Sequence, residues 1–363
     1  SLLARPRTGT AAAPAVLRAA ALPAAALATL PLAYLLIRTV GAGWPAVAEI
    51  LLRERTLVLL LRSLSLATVV TATSVVIGVG WAWVVTRTAV PGRRIWLVVG
   101  ALPLAMPSYL AAYAWISLVP SLPSFTGSVL VLTLVCYPYV LLPVAAALSR
   151  ADPAAEDVAR SLGKTRAATF VSVTLRQVRP AAVAGALLVA LYVLSDFGAV
   201  ALMRLDTFTR VIYTSYRAGC DPVPAAVLSL VLVAVTGVIA AAELRTRGRA
   251  RHARLGSGVA RPAVPVVLGP GGTAGVQGAM AAVAALALAV PLGTVAWWLT
   301  GTSRGVDLAA VAEATVATAA LALGAAAVTT IVAAPVGVLA ARYRSGFTVW
   351  VERLSYICLL YTS

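Results

Sequence analysis

SLSLATVVTATSVVIGVGWAWVVTR, residues Ser63 to Arg87, carries no charge until its last residue. It is long enough to cross the hydrocarbon core, which takes about 20 mostly apolar residues in a helix. The run is continuous and does not alternate in short segments, so it reads as a helix and not as a strand of a lipid-facing barrel. Similar runs fill the chain. Apolar residues make up 61% of its 363 residues and charged residues 11%, against roughly 45–50% and about 25% in soluble domains. Lipid is the solvent that accommodates such a composition, and helices satisfy every backbone group within it.

The chain divides into nine apolar segments: Ala19 to Val40, Leu64 to Val85, Ile95 to Leu118, Ser128 to Leu148, Ala181 to Met203, Ala225 to Ala242, Ala279 to Leu299, Thr315 to Ala341, and a ninth from Val349. The first is too long, and too arginine-flanked, for a cleaved signal peptide. With a cytoplasmic N-terminus, inner segments hold twenty Arg and Lys and outer segments eight, which sets the orientation by the positive-inside rule. The net charge of +17 is explained by that bias, and with no basic stripe on a soluble domain nucleic acid is excluded as a partner. Cys136, Cys220 and Cys358 show no pairing or metal spacing, and His252 lies in a basic loop.

Thr318 to Arg342, TAALALGAAAVTTIVAAPVGVLAAR, repeats the pattern of the opening stretch six spans later. An even offset preserves orientation, as in a parallel repeat of two halves. Between them, Arg245 to Gly278 is rich in Arg, Gly and Pro, including Gly269-Pro270-Gly271-Gly272, and reads as a flexible linker. The division expected is a first half over 1–245 with six spans, a linker over 246–278, and the start of a second half over 279–363. The Ser at position 1 and the abrupt end at Tyr361-Thr362-Ser363 are read as those of a fragment, with Cys358 to Ser363 left out of fold reasoning.

The loop after the fourth segment reads RADPAAEDVARSLGKTRAATFVSVTLRQVRP, Arg150 to Pro180. Asp152 before Pro153 is a good helix start, and Gly163 suits the left-handed position past a helix end. A second amphipathic helix is expected over Thr165 to Val178, with Ala168, Val171 and Leu175 on one face. The loop resembles the cytoplasmic EAA loop of ABC importer permeases: Glu-Ala-Ala, three residues, Gly, nine residues, Ile-x-Leu-Pro. Asp157-Val158-Ala159, Gly163 and Val173-Thr174-Leu175 stand at those intervals. Asp replaces Glu, Val158 replaces Ala, Val173 replaces Ile, and Arg176 stands where Pro is usual, leaving the second helix unbroken until Pro180. The resemblance implies an all-α polytopic transmembrane helical bundle with the type I ABC importer permease fold. It also implies that Asp157, Val158, Ala159, Leu162, Gly163, Val173 and Leu175 couple to a separate ATP-binding subunit, two copies of it. A surface amphipathic helix is the alternative reading of the loop.

Leu194-Ser195-Asp196-Phe197-Gly198-Ala199-Val200, followed by Asp206-Thr207-Phe208-Thr209 and Ile212-Tyr213, looks like the ferric-iron permease group, in which two six-helix halves share one chain. Thiamine, phosphonate and polyamine permeases are similar. The resemblance covers Leu57 to Ala242 and, more loosely, segments seven to nine. It implies twelve spans in all and a second coupling loop after the tenth. It further implies ferric iron as cargo, an extracytoplasmic binding protein that delivers it, no cofactor, and a bacterial plasma-membrane location. Asp196 is a carboxylate in an apolar span, costing about 2.5–3.5 kcal/mol at the bilayer centre. It either lines the translocation path with Ser195 or serves structure, capping or bonding a neighbouring helix through Ser195. Gly78, Gly80, Pro103, Pro107, Pro138 and Pro143 are expected to pack or kink spans, and Trp81, Trp83, Trp96, Trp115, Trp297 and Trp298 to anchor at interfaces.

The chain has no G-x-x-x-x-G-K-[ST], because Gly269 to Gly275 includes no Lys. It has no H-E-x-x-H, nucleophile elbow or placed carboxylate pair. The sequence therefore carries no catalytic or metal site, and energy must come from elsewhere. An ion-driven transporter is expected to hold several intramembrane charges, where only Asp196 stands. A non-transport anchor is the remaining alternative.

Overall fold

The computed structural model describes residues 15–151, 154–218, 222–247, 265–301 and 307–342. The helices run in order as α1 (Ala15–Gly41), α2 (Trp44–Leu52), α3 (Glu54–Arg87), α4 (Arg93–Ala101), α5 (Ser108–Leu118), α6 (Phe125–Cys136), α7 (Pro138–Arg150) and α8 (Ala154–Ser161). They continue as α9 (Arg166–Thr169), α10 (Leu175–Ser195), α11 (Gly198–Leu202), α12 (Phe208–Ala218), α13 (Val223–Arg247), α14 (Pro270–Ala284), α15 (Val290–Gly301) and α16 (Leu308–Arg342). Among the described residues six helices are long and apolar enough to cross a membrane, and two further pairs qualify together. The protein is an all-α, multi-pass membrane bundle. Each of the eight complete apolar segments meets a helix or helix pair, whereas the ninth, from Val349, lies outside the described residues.

The described residues form two compact units, one within 45–300 and the other within 15–44 and 301–342. In the smaller unit α1 and α16 pack through Leu17, Ala21, Val336 and Leu339. In the larger unit α3, α7 and α10 form the centre. Gly78 and Gly185 make this possible. A Cβ at Gly78 would lie 2.8 Å from Val140 Cβ and 2.9 Å from the Tyr137 carbonyl. One at Gly185 would lie 2.7 Å from the Tyr139 carbonyl and 2.8 Å from Val140 Cα. Without side chains there, backbones approach closely, which is how helices associate in lipid. Gly80, expected to do the same, faces open space.

Proline punctuates the spans unevenly. The third segment is two helices and not one: α4 continues into a 3-10 turn over Leu102–Ala105, and α5 leaves it at 92°. Met106 precedes Pro107 and is held extended at φ −88°, ψ 118°, as a residue before proline is. Pro138 instead opens α7 directly behind α6, at the tolerated first position. Pro180 interrupts nothing, since α10 runs through it to Ser195. The second helix of the loop is thus not a separate element ending at Pro180. Arg166–Thr169, a π turn at Phe170–Thr174 and α10 form one run into the membrane. The fifth span accordingly ends at Ser195, short of Met203. The Gly-Pro-Gly-Gly stretch is also more ordered than expected, with Pro270 opening α14.

Trp81 is not an interfacial anchor. It is 4% exposed, stacks on Tyr137 with ring centroids 5.5 Å apart, and donates its indole N–H to the Trp96 carbonyl at 3.1 Å. An indole can sit in the core when its N–H finds a partner. Trp297, in contrast, is largely exposed.

Candidate functional site: a glycine-jointed loop and a carboxylate bracket

The loop after α7 folds as a knuckle. Helix α8 ends in a Schellman motif: Gly163 N–H donates to the Arg160 carbonyl at 3.0 Å and Lys164 N–H to the Ala159 carbonyl at 3.1 Å. Gly163 sits at φ +85° with nothing near where a Cβ would stand, so backbone conformation, not crowding, requires glycine there. Thr165 then caps the next helix by accepting from Ala168 N–H at 3.3 Å. Lys164 Nζ donates to Ser172 Oγ at 3.1 Å, across the joint. The helix start expected at Asp152-Pro153 lies outside the described residues.

The seven residues expected to couple divide by environment. Ala159 is buried and Val173 half-buried, while Asp157, Val158, Leu162, Gly163 and Leu175 are exposed. Leu162 is 77% exposed and Val158 58%. They stand four residues apart, Val158 on α8 and Leu162 just past its end, an apolar pair presented outward. The stripe of Ala168, Val171 and Leu175 also faces out, because the run turns Thr169 and Thr174 inward instead.

Sequence reasoning missed the contacts that hold the knuckle. The acidic anchor is Glu156, not its neighbour Asp157. Glu156 Oε1 lies 3.3 Å from Nη2 of Arg87 at the end of α3 and accepts from Thr174 Oγ1 at 3.0 Å. Trp83 packs edge-on against Phe170 at 5.6 Å. By sequence Arg87 is one more inner-face arginine. Its burial is the distinguishing signal, and one sequence does not display it.

At the opposite end of α10, Asp196 leaves the helix in extended conformation and is 8% exposed. Oδ1 accepts from the N–H groups of Ala199 at 2.9 Å and Val200 at 3.4 Å, capping α11. Oδ2 accepts from Ser108 Oγ at 2.5 Å, at the start of α5. The Asp196 carbonyl accepts from Thr209 Oγ1 at 2.8 Å. The bonding to a neighbouring helix therefore runs through Ser108. Ser195 stays local, donating to the Tyr192 carbonyl at 3.0 Å. Asp196 is a bracket that joins α5, α10, α11 and the start of α12.

No protein-family model matches the chain. It is 32% identical over 335 residues, 90% of its length, to the Fe(3+)-transport system permease protein FbpB 2 of Haemophilus influenzae, and spans 65% of that relative. It is 25% identical over 226 residues to the sulfate transport system permease protein CysT of Escherichia coli, covering 56% of this chain and 82% of that one. A probable molybdenum ABC transporter permease protein of Haloferax volcanii is 29% identical over 194 residues, 50% of this chain and 72% of that one. Shared transport-permease relatives and an apolar helical bundle make the chain similar to the permeases of transport systems, a probable ABC transporter permease among them.

Proposed function

We propose that the chain is the transmembrane permease subunit of an ATP-driven importer, and that ferric iron delivered by an extracytoplasmic binding protein is its cargo. The N-terminus lies in the cytoplasm of a bacterial cell and the knuckle on the inner face, as the distribution of Arg and Lys supports. Energy comes from a separate ATP-binding subunit, in two copies, and the chain itself is not an enzyme. The wider organisation is two permease halves joined by the linker.

One observation carries the coupling reading: Val158 and Leu162 stand exposed on and just past a helix whose end, joint and flank are all fixed. An apolar pair on a braced element can receive a partner and pass on its rigid-body motion. Asp157 and Leu175 border the same surface, and Ala159 and Val173 seat it on the bundle. Ser195 and Asp196 belong, on this reading, at the outer mouth of the path. There Asp196 acts by fixing backbone, since both its oxygens already accept hydrogen bonds. Similarity to the ferric relative over most of the chain favours ferric iron. An oxyanion is the second reading, favoured by the sulfate and molybdenum relatives.

Reconstitution tests the proposal. Proteoliposomes holding this chain and the ATP-binding subunit should take up ferric ion from its binding protein only with internal ATP. Uptake that persists without the ATP-binding subunit contradicts the mechanism. ATP-dependent uptake of sulfate or molybdate, with none of iron, contradicts the cargo.

A further inference from the structure

Arg87 touches both the knuckle and the extended segment before α14. Its side chain is 6% exposed and reaches Glu156 of α8. Its carbonyl accepts from the Val266 N–H at 2.8 Å, and the Ala89 N–H donates back to the Val266 carbonyl at 3.0 Å. These two bonds make Thr88 and Val266 the one isolated parallel bridge among the described residues. Close by, Gln277 Nε2 of α14 donates to the Pro91 carbonyl at 3.3 Å. The end of α3 is thus a junction: α8 is held by charge on one side, and the entry to α14 by backbone pairing on the other.

The chemistry of the junction is specific. A buried guanidinium needs a partner, because a desolvated charge left alone is strongly unfavourable. Glu156 is that partner through an ion pair at 3.3 Å, which is a charge contact and not a hydrogen bond, since the buried Arg87 Nε and Nη2 find no hydrogen-bond acceptor among the described residues. The end of a helix also favours a cation. Bonds from the Thr174 hydroxyl and to the Arg87 carbonyl fix both parties in place. A displacement of α8 therefore cannot leave α3 behind without stranding the Arg87 charge. It cannot move the end of α3 without pulling the segment at Val266.

We infer that Arg87 is a positioning residue for energy coupling: through its side chain it ties α8 to α3, and through its backbone it ties α3 to the segment that enters α14, so that one push on the knuckle is delivered to both helices. This rests on the proposed docking of α8 to an ATP-binding subunit. It adds a route from the knuckle into the segment at Val266 and on into α14.

The test uses the complete complex and a readout that does not depend on cargo. Backbone hydrogen exchange of α14 is followed with and without ATP trapped by vanadate, alongside the affinity of the ATP-binding subunit for the permease. In the wild type, trapping should change exchange in α14. Glu156→Gln, Arg87→Met and Val266→Pro, which removes the donor to Arg87, should each shrink that response about fivefold or more, the range of an ordinary coupling energy. Affinity for the ATP-binding subunit should hold. Arg87→Lys and the exchanged pair Arg87→Glu with Glu156→Arg should recover part of the response, which a variant that merely misfolds would not show. An ATP-binding subunit that fails to bind the wild type overturns the functional reading and this inference together. Normal binding with an α14 response absent in the wild type, or unchanged in all three variants, overturns the inference alone.

Discussion

Replacing Asp196 by alanine removes three hydrogen bonds at once. The bond from Ser108 Oγ goes to a charged acceptor, worth about 1.5–3 kcal/mol. The two from Ala199 and Val200 form the cap of α11, worth about 0.5–2 kcal/mol. Relief from burying a carboxylate offsets part of this, so the net loss should be about 2–4 kcal/mol. Asn keeps the capping oxygen and is an equally good cap, so Asp196→Asn should lose about 1 kcal/mol. A Ser108→Ala and Asp196→Asn cycle should show clear coupling, because the two side chains touch. Denaturation of the purified chain in detergent, followed by tryptophan fluorescence, measures each value. If Asp196→Ala unfolds like the wild type, the bracket does not exist. If Asp196→Asn is as damaging as alanine, capping is not its role. Should Asp196→Asn keep stability and abolish uptake, the carboxylate works on the cargo and not on the backbone.

Other expectations rest on the same kind of contact. Gly78→Leu should destabilise the α3–α7–α10 centre by about 1–3 kcal/mol or more, since its side chain meets backbone, while Gly80→Ala should be neutral in the same melting assay. Gly163→Ala should cost about 1–2 kcal/mol at its positive φ, and Gly163→Asn less, with uptake per ATP falling in that order. Leu162→Asp and Val158→Asp should leave melting unchanged, because both side chains are exposed, and should weaken capture of the ATP-binding subunit.

The spans and the knuckle are legible in the sequence because they rest on local rules: length of apolar run, a glycine past a helix end, spacing to a family motif. The rest depends on partners far apart in the chain. Asp196 and Ser108 are 88 residues apart, so the sequence offers Ser195 as the nearby hydroxyl where the fold uses another. Glu156 and Asp157 are adjacent acids, and only burial of Arg87 tells them apart. Pro180 is expected to stop a helix, since its ring opposes the preceding turn. Packing of Val178 and Ala182 on both sides of it carries α10 through. Pro107 does break its segment, because the residue before it turns extended where α5 must leave to meet Asp196. Trp81 reads as an interfacial residue from its position near a span end, although a backbone carbonyl on α4 gives its N–H a home in the core.

Docking of the knuckle on an ATP-binding subunit can be read from a single cysteine at Leu162, in a chain lacking Cys136, Cys220 and Cys358. With a short bifunctional reagent it should cross-link to the ATP-binding subunit, and the yield should change with bound nucleotide. Labelling of that cysteine by a membrane-impermeant maleimide added outside intact cells, with no cross-link to the ATP-binding subunit, would contradict the account.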